Sequence, residues 1–174
     1  MNFRIATLDD LPSLAAARWA FRTESGGEVA LETEQAFARR YEAFVRDALQ
    51  SRRWTYWIAE TVDGECVSHM AVCIVQSIPR PSRVSDQWGY LTDCYTRPQF
   101  RNRGVGRELL AHVKAWADSQ DLEMLVVWPS DKSDGFYARA GFERDEEIRV
   151  LRLRDYDAPK NSPSAVVDKR RYRL

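Results

Sequence analysis

What this chain lacks narrows its function before any motif is found. It has no net charge: 26 basic and 26 acidic side chains cancel over 174 residues, so the protein as a whole gives no electrostatic reason to expect nucleic acid or a membrane as partner. No apolar run is long enough to span a bilayer, and Met1-Asn2-Phe3-Arg4 has no signal-peptide core behind it. Cysteine is scarce. Cys66, Cys73 and Cys94 lie in apolar, strand-like segments with no close pair, which argues against a disulfide framework or a zinc site and fits reduced thiols in a cytoplasmic protein. Internal repeats and low-complexity segments are also missing. What is present is an apolar fraction of 44% with six tryptophans, enough for one folded domain with a sizeable core.

Periodicity gives the order β-α-α-β-β-β-α-β-α-β. Residues 3–7 read as a first strand, followed by a capping box in its Asp form at Thr7-Leu8-Asp9-Asp10. A helix carries Leu11, Leu14, Ala15 and Trp19 on its apolar face and ends by Gly26-Gly27. A second helix spans about 32–49, with Phe37, Tyr41, Phe44 and Val45 at helical spacing. Strands at 54–60 and 65–78 flank the turn Asp63-Gly64. A loop follows at 78–83, then a strand at 89–96, a helix with Val105, Leu109, Val113 and Trp116 on one side, and an apolar strand at 122–128. A short helix at 131–140 is closed by Gly141, and 142–153 supplies a last strand or hairpin. The early strands are antiparallel and the unit at 89–128 is parallel, so the fold class is α/β with a mixed sheet and helices on both faces.

The strand at 89–96 runs into Arg101-Asn102-Arg103-Gly104-Val105-Gly106, and a helix begins at once. Strand, tight basic glycine turn and helix N-terminus together make an anion cradle, because bare N–H groups and the positive helix end favour a phosphate. Gly104 and Gly106 permit positive φ and close backbone approach. Arg101, Arg103 and Arg107 add phosphate-compatible charge. No GK[ST] follows, so this is not a Walker loop, and Leu109 stands where a dinucleotide fingerprint needs glycine.

The pattern R-x-x-G-x-G resembles motif A of the GNAT superfamily of N-acetyltransferases, which binds the pyrophosphate of acetyl-CoA. About thirty residues on, Phe136-Tyr137-Ala138-Arg139-Ala140-Gly141-Phe142 resembles the family's motif B, F-Y-x-x-x-G-F. Order and spacing agree with the family, and the resemblance covers roughly residues 1–153. It implies a central mixed sheet of six to seven strands with a splay between the two middle parallel strands. It also implies acetyl-CoA held by Cys94, Tyr95 and Thr96 along its pantetheine arm and by residues 101–107 at the pyrophosphate. Tyr137 aligns with the tyrosine that protonates the coenzyme A thiolate in many members. Ser130 stands where many members have Asn, and Ser133 either binds coenzyme A or caps the short helix. Phe136 and Phe142 read as core.

Acetyl transfer also needs a base and an acceptor site. Asp93 is the candidate base, with pairing to an arginine or direct binding of the substrate ammonium as alternatives, since a carboxylate in an apolar strand is costly without a task or partner. His69 reads as a satisfied histidine and His112 as an exposed one. Trp19, Arg22, Glu24, Tyr41, Trp57 and Tyr90 are expected to line the acceptor pocket, although the aromatics also suit a core. Glu24 would suit a cationic amine and Arg22 a carboxylate.

The expected activity is transfer of acetyl from acetyl-CoA to a primary amine of a small molecule or peptide by direct attack. A covalent route through Cys94 and a non-catalytic acyl-CoA-binding domain are the competing readings. No nucleic acid or membrane partner is expected, and a homodimer is open because family members often dimerise. Residues 154–174 form a tail with Pro159 and Pro163 and a basic end, Lys169-Arg170-Arg171-Tyr172-Arg173, docked or flexible.

Overall fold

The chain begins with a strand pinned by charge. In the computed structural model, which describes residues 1–24, 32–145 and 151, β1 (Asn2–Ile5) carries Arg4. Its guanidinium grips Asp10 at 2.7 and 2.9 Å and Glu60 at 2.7 Å. Asp10 also accepts the Thr7 N–H at 2.7 Å, the capping contact that the sequence pattern indicates. Two helices follow, α1 (Leu11–Thr23) and α2 (Glu34–Gln50). The Thr33 hydroxyl accepts the Ala36 N–H and starts α2.

The sheet then unrolls as β2 (Trp54–Glu60), β3 (Cys66–Gln76) and β4 (Gln87–Thr96). After the glycine turn come α3 (Val105–Ser119), β5 (Leu125–Val126) and α4 (Asp131–Arg139). Spatial order is β1-β2-β3-β4-β5, antiparallel until β4 meets β5 in parallel. Among the described residues the sheet therefore has five strands, fewer than the expected six to seven. The strand or hairpin expected at 142–153 lies largely outside the described residues, as do Gly26-Gly27 and the tail at 154–174.

Helices α1 and α2 pack on one face and α3 on the other. Leu11, Leu14, Val45, Tyr56, Ile58 and Ala71 form a buried cluster under the first pair. Leu109, Leu110, Val113 and Ala117 are buried on α3. Full burial of each leucine, isoleucine or valine among them contributes about 1.5–3 kcal/mol. The three cysteines are free, and among the described residues no helix is long and apolar enough to cross a membrane.

Two irregularities in β4 shape the site. The first is its short partnership with β5. The expected strand at 122–128 pairs only at Leu125 and Val126, opposite Gly89 and Tyr90, and β4 runs on to Thr96 without it. This is the splay expected between the parallel strands. Gly89 allows the pairing, because a Cβ there would stand 2.5 Å from Leu125 Cδ2 and 2.9 Å from Val72 Cγ1. The second is a bulge. Ala71 pairs with Thr92 but His69 pairs with Tyr95, so Asp93 and Cys94 together oppose Met70, with Asp93 at φ 50°.

Gly89→Ala is expected to destabilise the protein by about 1–3 kcal/mol through overpacking at this junction. Urea unfolding of the two proteins measures it, and an unchanged midpoint would show that the strands can part to admit a methyl group.

Candidate active site

The bulge, the glycine turn and α4 enclose one cleft of about 460 Å³. It is lined by Cys94, Tyr95 and Thr96 from β4, by Arg101, Asn102, Gly104, Val105, Gly106 and Arg107 from the turn and first helical turn, and by Ser133 and Tyr137 from α4. The structure thus gathers in one place every residue expected at the cofactor except Arg103 and Ser130. Arg103 faces a neighbouring concavity beside Phe3, and Ser130 sits at the N-cap of α4.

The floor of the cleft explains the glycines. Gly104 caps α3 with φ 82°, and Asn102 before it has φ 59°. Gly106 leaves open a space where a Cβ would stand 3.3 Å from Thr96 Oγ1 and 3.8 Å from the Phe136 ring. The Glu108 N–H closes onto the Gly104 carbonyl at 3.0 Å, so the N–H groups of Val105, Gly106 and Arg107 precede the helical ladder and keep their capacity to bind an anion. A diphosphate fits this floor on three counts: bare donors, a positive helix end and no side chain in the way. Above it, β4 beyond Tyr90 offers main-chain edge that β5 does not cover, the geometry by which an extended ligand adds as a strand.

Tyr137 is buried beside this edge. Burial and its contact with the Cys94 thiol push its phenol above the ordinary tyrosine value, so it keeps its proton across the physiological range. Burial likewise pushes the Cys94 thiol up to about 12, against the opposing hydrogen bond from Tyr137. A thiol so placed is protonated at neutral pH and is a poor nucleophile. Tyr90 stands close by, its ring edge-on to Trp128 at 4.7 Å between centroids.

Asp93 lies beneath the bulge. Its carboxylate accepts from Arg18 Nη1 at 2.9 Å and from the Tyr41 hydroxyl at 2.8 Å. His69 Nε2 stands 3.1 Å away, outside hydrogen-bond alignment. Burial alone would raise this carboxyl, but His69, Arg18 and Tyr41 overcome it and hold it below the usual carboxylate range. Of the three roles open to Asp93 in the sequence (base, arginine partner, site for the substrate ammonium), the geometry shows the arginine pair. His69 is fully buried, and His112 is exposed and stacked on Phe3.

The acceptor residues do not converge. Glu24 clasps Arg101 through two bonds of 2.7 and 2.8 Å and accepts from the Tyr95 hydroxyl at 3.2 Å. Arg101 spends its remaining Nε on the Thr96 carbonyl at 2.8 Å, and its cation lies over the Tyr95 ring. Trp19 packs against Phe37 of α2, and Arg22 lies over the Phe21 ring. Trp57 is buried on the opposite sheet face, against Trp116 and His112 of α3. Ser133 accepts the Ser130 N–H at 2.9 Å, so it caps α4 while also lining the cleft.

Met70, Phe100, Lys132, Phe136 and Arg139 line the cleft as well. Phe136, read as core in the sequence, is only half-buried. Lys132 and Arg139 had a signal in the sequence: they lie four residues before and three after Phe136, on its helical face.

Comparison with known proteins agrees with this geometry. The acetyltransferase (GNAT) family matches residues 14–142. A curated relative, aminoglycoside N(6')-acetyltransferase type 1 of Stenotrophomonas maltophilia, is 29% identical over 100 residues, which is 56% of this chain and 65% of that protein. Three solved structures share the fold. A "predicted acetyltransferase with acetyl-CoA" from Clostridium acetobutylicum has a TM-score of 0.72 at 22% identity, covering 87% of this chain and 96% of that one. A GCN5-related N-acetyltransferase from Ralstonia eutropha has 0.69 at 24%, covering 86% and 97%. Glucosamine-6-phosphate N-acetyltransferase from Arabidopsis thaliana has 0.65 at 15%, covering 88% and 98%. At these identities the structures speak to the fold. The chain belongs to the acetyltransferase (GNAT) family.

Proposed function

We propose that this member of the family is an N-acetyltransferase that moves acetyl from acetyl-CoA to a primary amine by direct attack, with no acyl-enzyme. The observation that carries the reading is the cleft itself, where the glycine floor, the uncovered edge of β4 and Tyr137 meet. Bound there, acyl-CoA would supply an activated thioester.

The protein's own groups then divide the work. The N–H groups of Val105, Gly106 and Arg107 would hold the diphosphate. The edge of β4 from Cys94 to Thr96 would orient the extended arm. Tyr137 holds a proton at its hydroxyl and would give it to the departing thiolate. Asp93 stays ionised and fixes the bulge, so removal of the proton from the acceptor falls to water or to a group other than Asp93. Protonated Cys94 supports direct attack over a covalent route. Three free thiols suit a reducing compartment such as the cytoplasm. The curated relative makes aminoglycosides the first acceptor class to test.

An acceptor screen that detects released coenzyme A tests the activity. Calorimetric binding of coenzyme A without turnover on any amine would favour an acyl-CoA-binding domain instead. Tyr137→Phe is expected to lower kcat about 100-fold, in line with loss of a positioned acid, while acetyl-CoA KM stays within about threefold. Steady-state kinetics separate the two, and an unchanged kcat would move the proton donor elsewhere. Gly104→Val and Gly106→Val are expected to raise acetyl-CoA KM about tenfold or more, a loss of about 1.4 kcal/mol. The first strains a backbone at φ 82° and the second fills the floor. Unchanged KM in both would refute the cradle. Iodoacetamide is expected to label Cys94 at pH 8 at least about tenfold more slowly than a free thiol; mass spectrometry of timed samples reads the rate, and fast labelling would reopen the covalent route.

A further inference from the structure

The bulge in β4 decides which residues of that strand face the cleft. Ala71 and His69 are two apart on β3, so their side chains share one face of the sheet, but their partners Thr92 and Tyr95 are three apart. The alternation of β4 therefore slips by one residue at Asp93. Ala71 lies in the cluster under α1 and α2, and the Tyr95 ring meets Phe21 of α1 at 5.3 Å between centroids. Cys94 and Thr96 turn to the other face. There Cys94 contacts Tyr137 of α4, and Thr96 Oγ1 stands 3.3 Å from where a Cβ on Gly106 would be. Strict alternation carried on from Thr92 would point both residues toward α1 and α2, away from the cleft.

The extra residue is held from the side opposite the cleft. Asp93 sits at φ 50°, and its carboxylate accepts from Arg18 Nη1 at 2.9 Å and from the Tyr41 hydroxyl at 2.8 Å. His69 Nε2 stands 3.1 Å away. Of these three partners only Arg18 carries a permanent charge. The Asp93 side chain is 8% exposed and that of Arg18 28%, so the guanidinium compensates a buried charge. Arg18 is steadied in turn over the Phe21 ring at 5.6 Å, on a helix anchored by buried Leu14, Ala15 and Ala17. Without it the strained main chain would lose the counter-ion that tethers it. We propose that Arg18 is a positioning residue for acetyl transfer, which acts through Asp93 to keep the bulge and so holds Cys94, Thr96 and the main chain between them toward the acyl donor. This inference rests on the acyl-CoA reading above and extends the site to α1. The glycine floor lies past the end of β4 and has no contact with Arg18, so the loss should fall on turnover more than on cofactor affinity.

Steady-state kinetics of the full chain test it, with thermal unfolding to check each fold. Arg18→Met is expected to lower kcat about tenfold, the size of a small misplacement of reacting groups, with acetyl-CoA KM within about threefold. Arg18→Lys keeps the charge and should stay within about threefold of the wild-type kcat. In an Asp93→Asn background no carboxylate remains to be held, so Arg18→Met should change kcat less than about twofold. An equal loss in both backgrounds, or an unchanged kcat in folded Arg18→Met, would overturn the assignment. Hydrogen exchange read by mass spectrometry needs no substrate. Amides at 92–96 should exchange at least about tenfold faster in Arg18→Met, with those of α3 unchanged. Unchanged exchange at 92–96 would also overturn it, and Arg18→Gln repeats both measurements should the methionine variant fail to fold. If the wild type neither binds coenzyme A nor releases it from acetyl-CoA with any amine, the acyl-CoA reading falls, and exchange still decides whether Arg18 holds the bulge.

Discussion

Everything at the site depends on the parting of two parallel strands. Over Gly89 and Tyr90 the strands β4 and β5 pair normally, and beyond that point they do not. Parallel strands in an α/β protein ordinarily stay together because each unpaired main-chain group costs the chain a hydrogen bond. Here β4 continues to Thr96 with one edge that no strand among the described residues covers, and the cleft opens along that edge. The arrangement is held by contacts on either side of it. Gly89 brings the strands close at the junction, while α3 and α4 are tied together by the bond from Lys114 Nζ to the Ala140 carbonyl at 2.7 Å.

The bulge is the second constraint, and charge holds it. A non-glycine residue at positive φ inside a strand is strained, and such strain persists where surrounding contacts over-determine it. Asp93 has those contacts: Arg18 from α1, Tyr41 from α2 and His69 from β3 converge on one carboxylate. The two helices that cover this face are therefore coupled to the conformation of the main chain next to Cys94 and Tyr137. Holding the carboxylate in its ionised form preserves that coupling.

Much of this was legible in the sequence. Element order followed from periodicity, and the glycine turn followed from Arg101-Asn102-Arg103-Gly104-Val105-Gly106, because local chemistry alone dictates a turn and a helix start there. What escaped was what depends on register. An apolar run such as 122–128 reads the same whether or not its neighbour stays alongside, so the two-residue length of β5 was hidden. The clasp between Glu24 and Arg101 joins residues 77 positions apart, and no local pattern announces it. Trp57 was assigned to the acceptor side because alternation fixes two faces without saying which one meets α3. The bulge left one clue, an Asp in an apolar strand, and Asp tolerates the left-handed region better than most residues.

The edge of β4 that β5 does not cover also bears on stability. A molecule laid along it completes the sheet as a guest strand and adds its binding free energy to the stability of the domain by mass action. Because Asp93 joins the bulge of β4 to α1 and α2, an acyl donor bound there as proposed would steady the strand and both helices together.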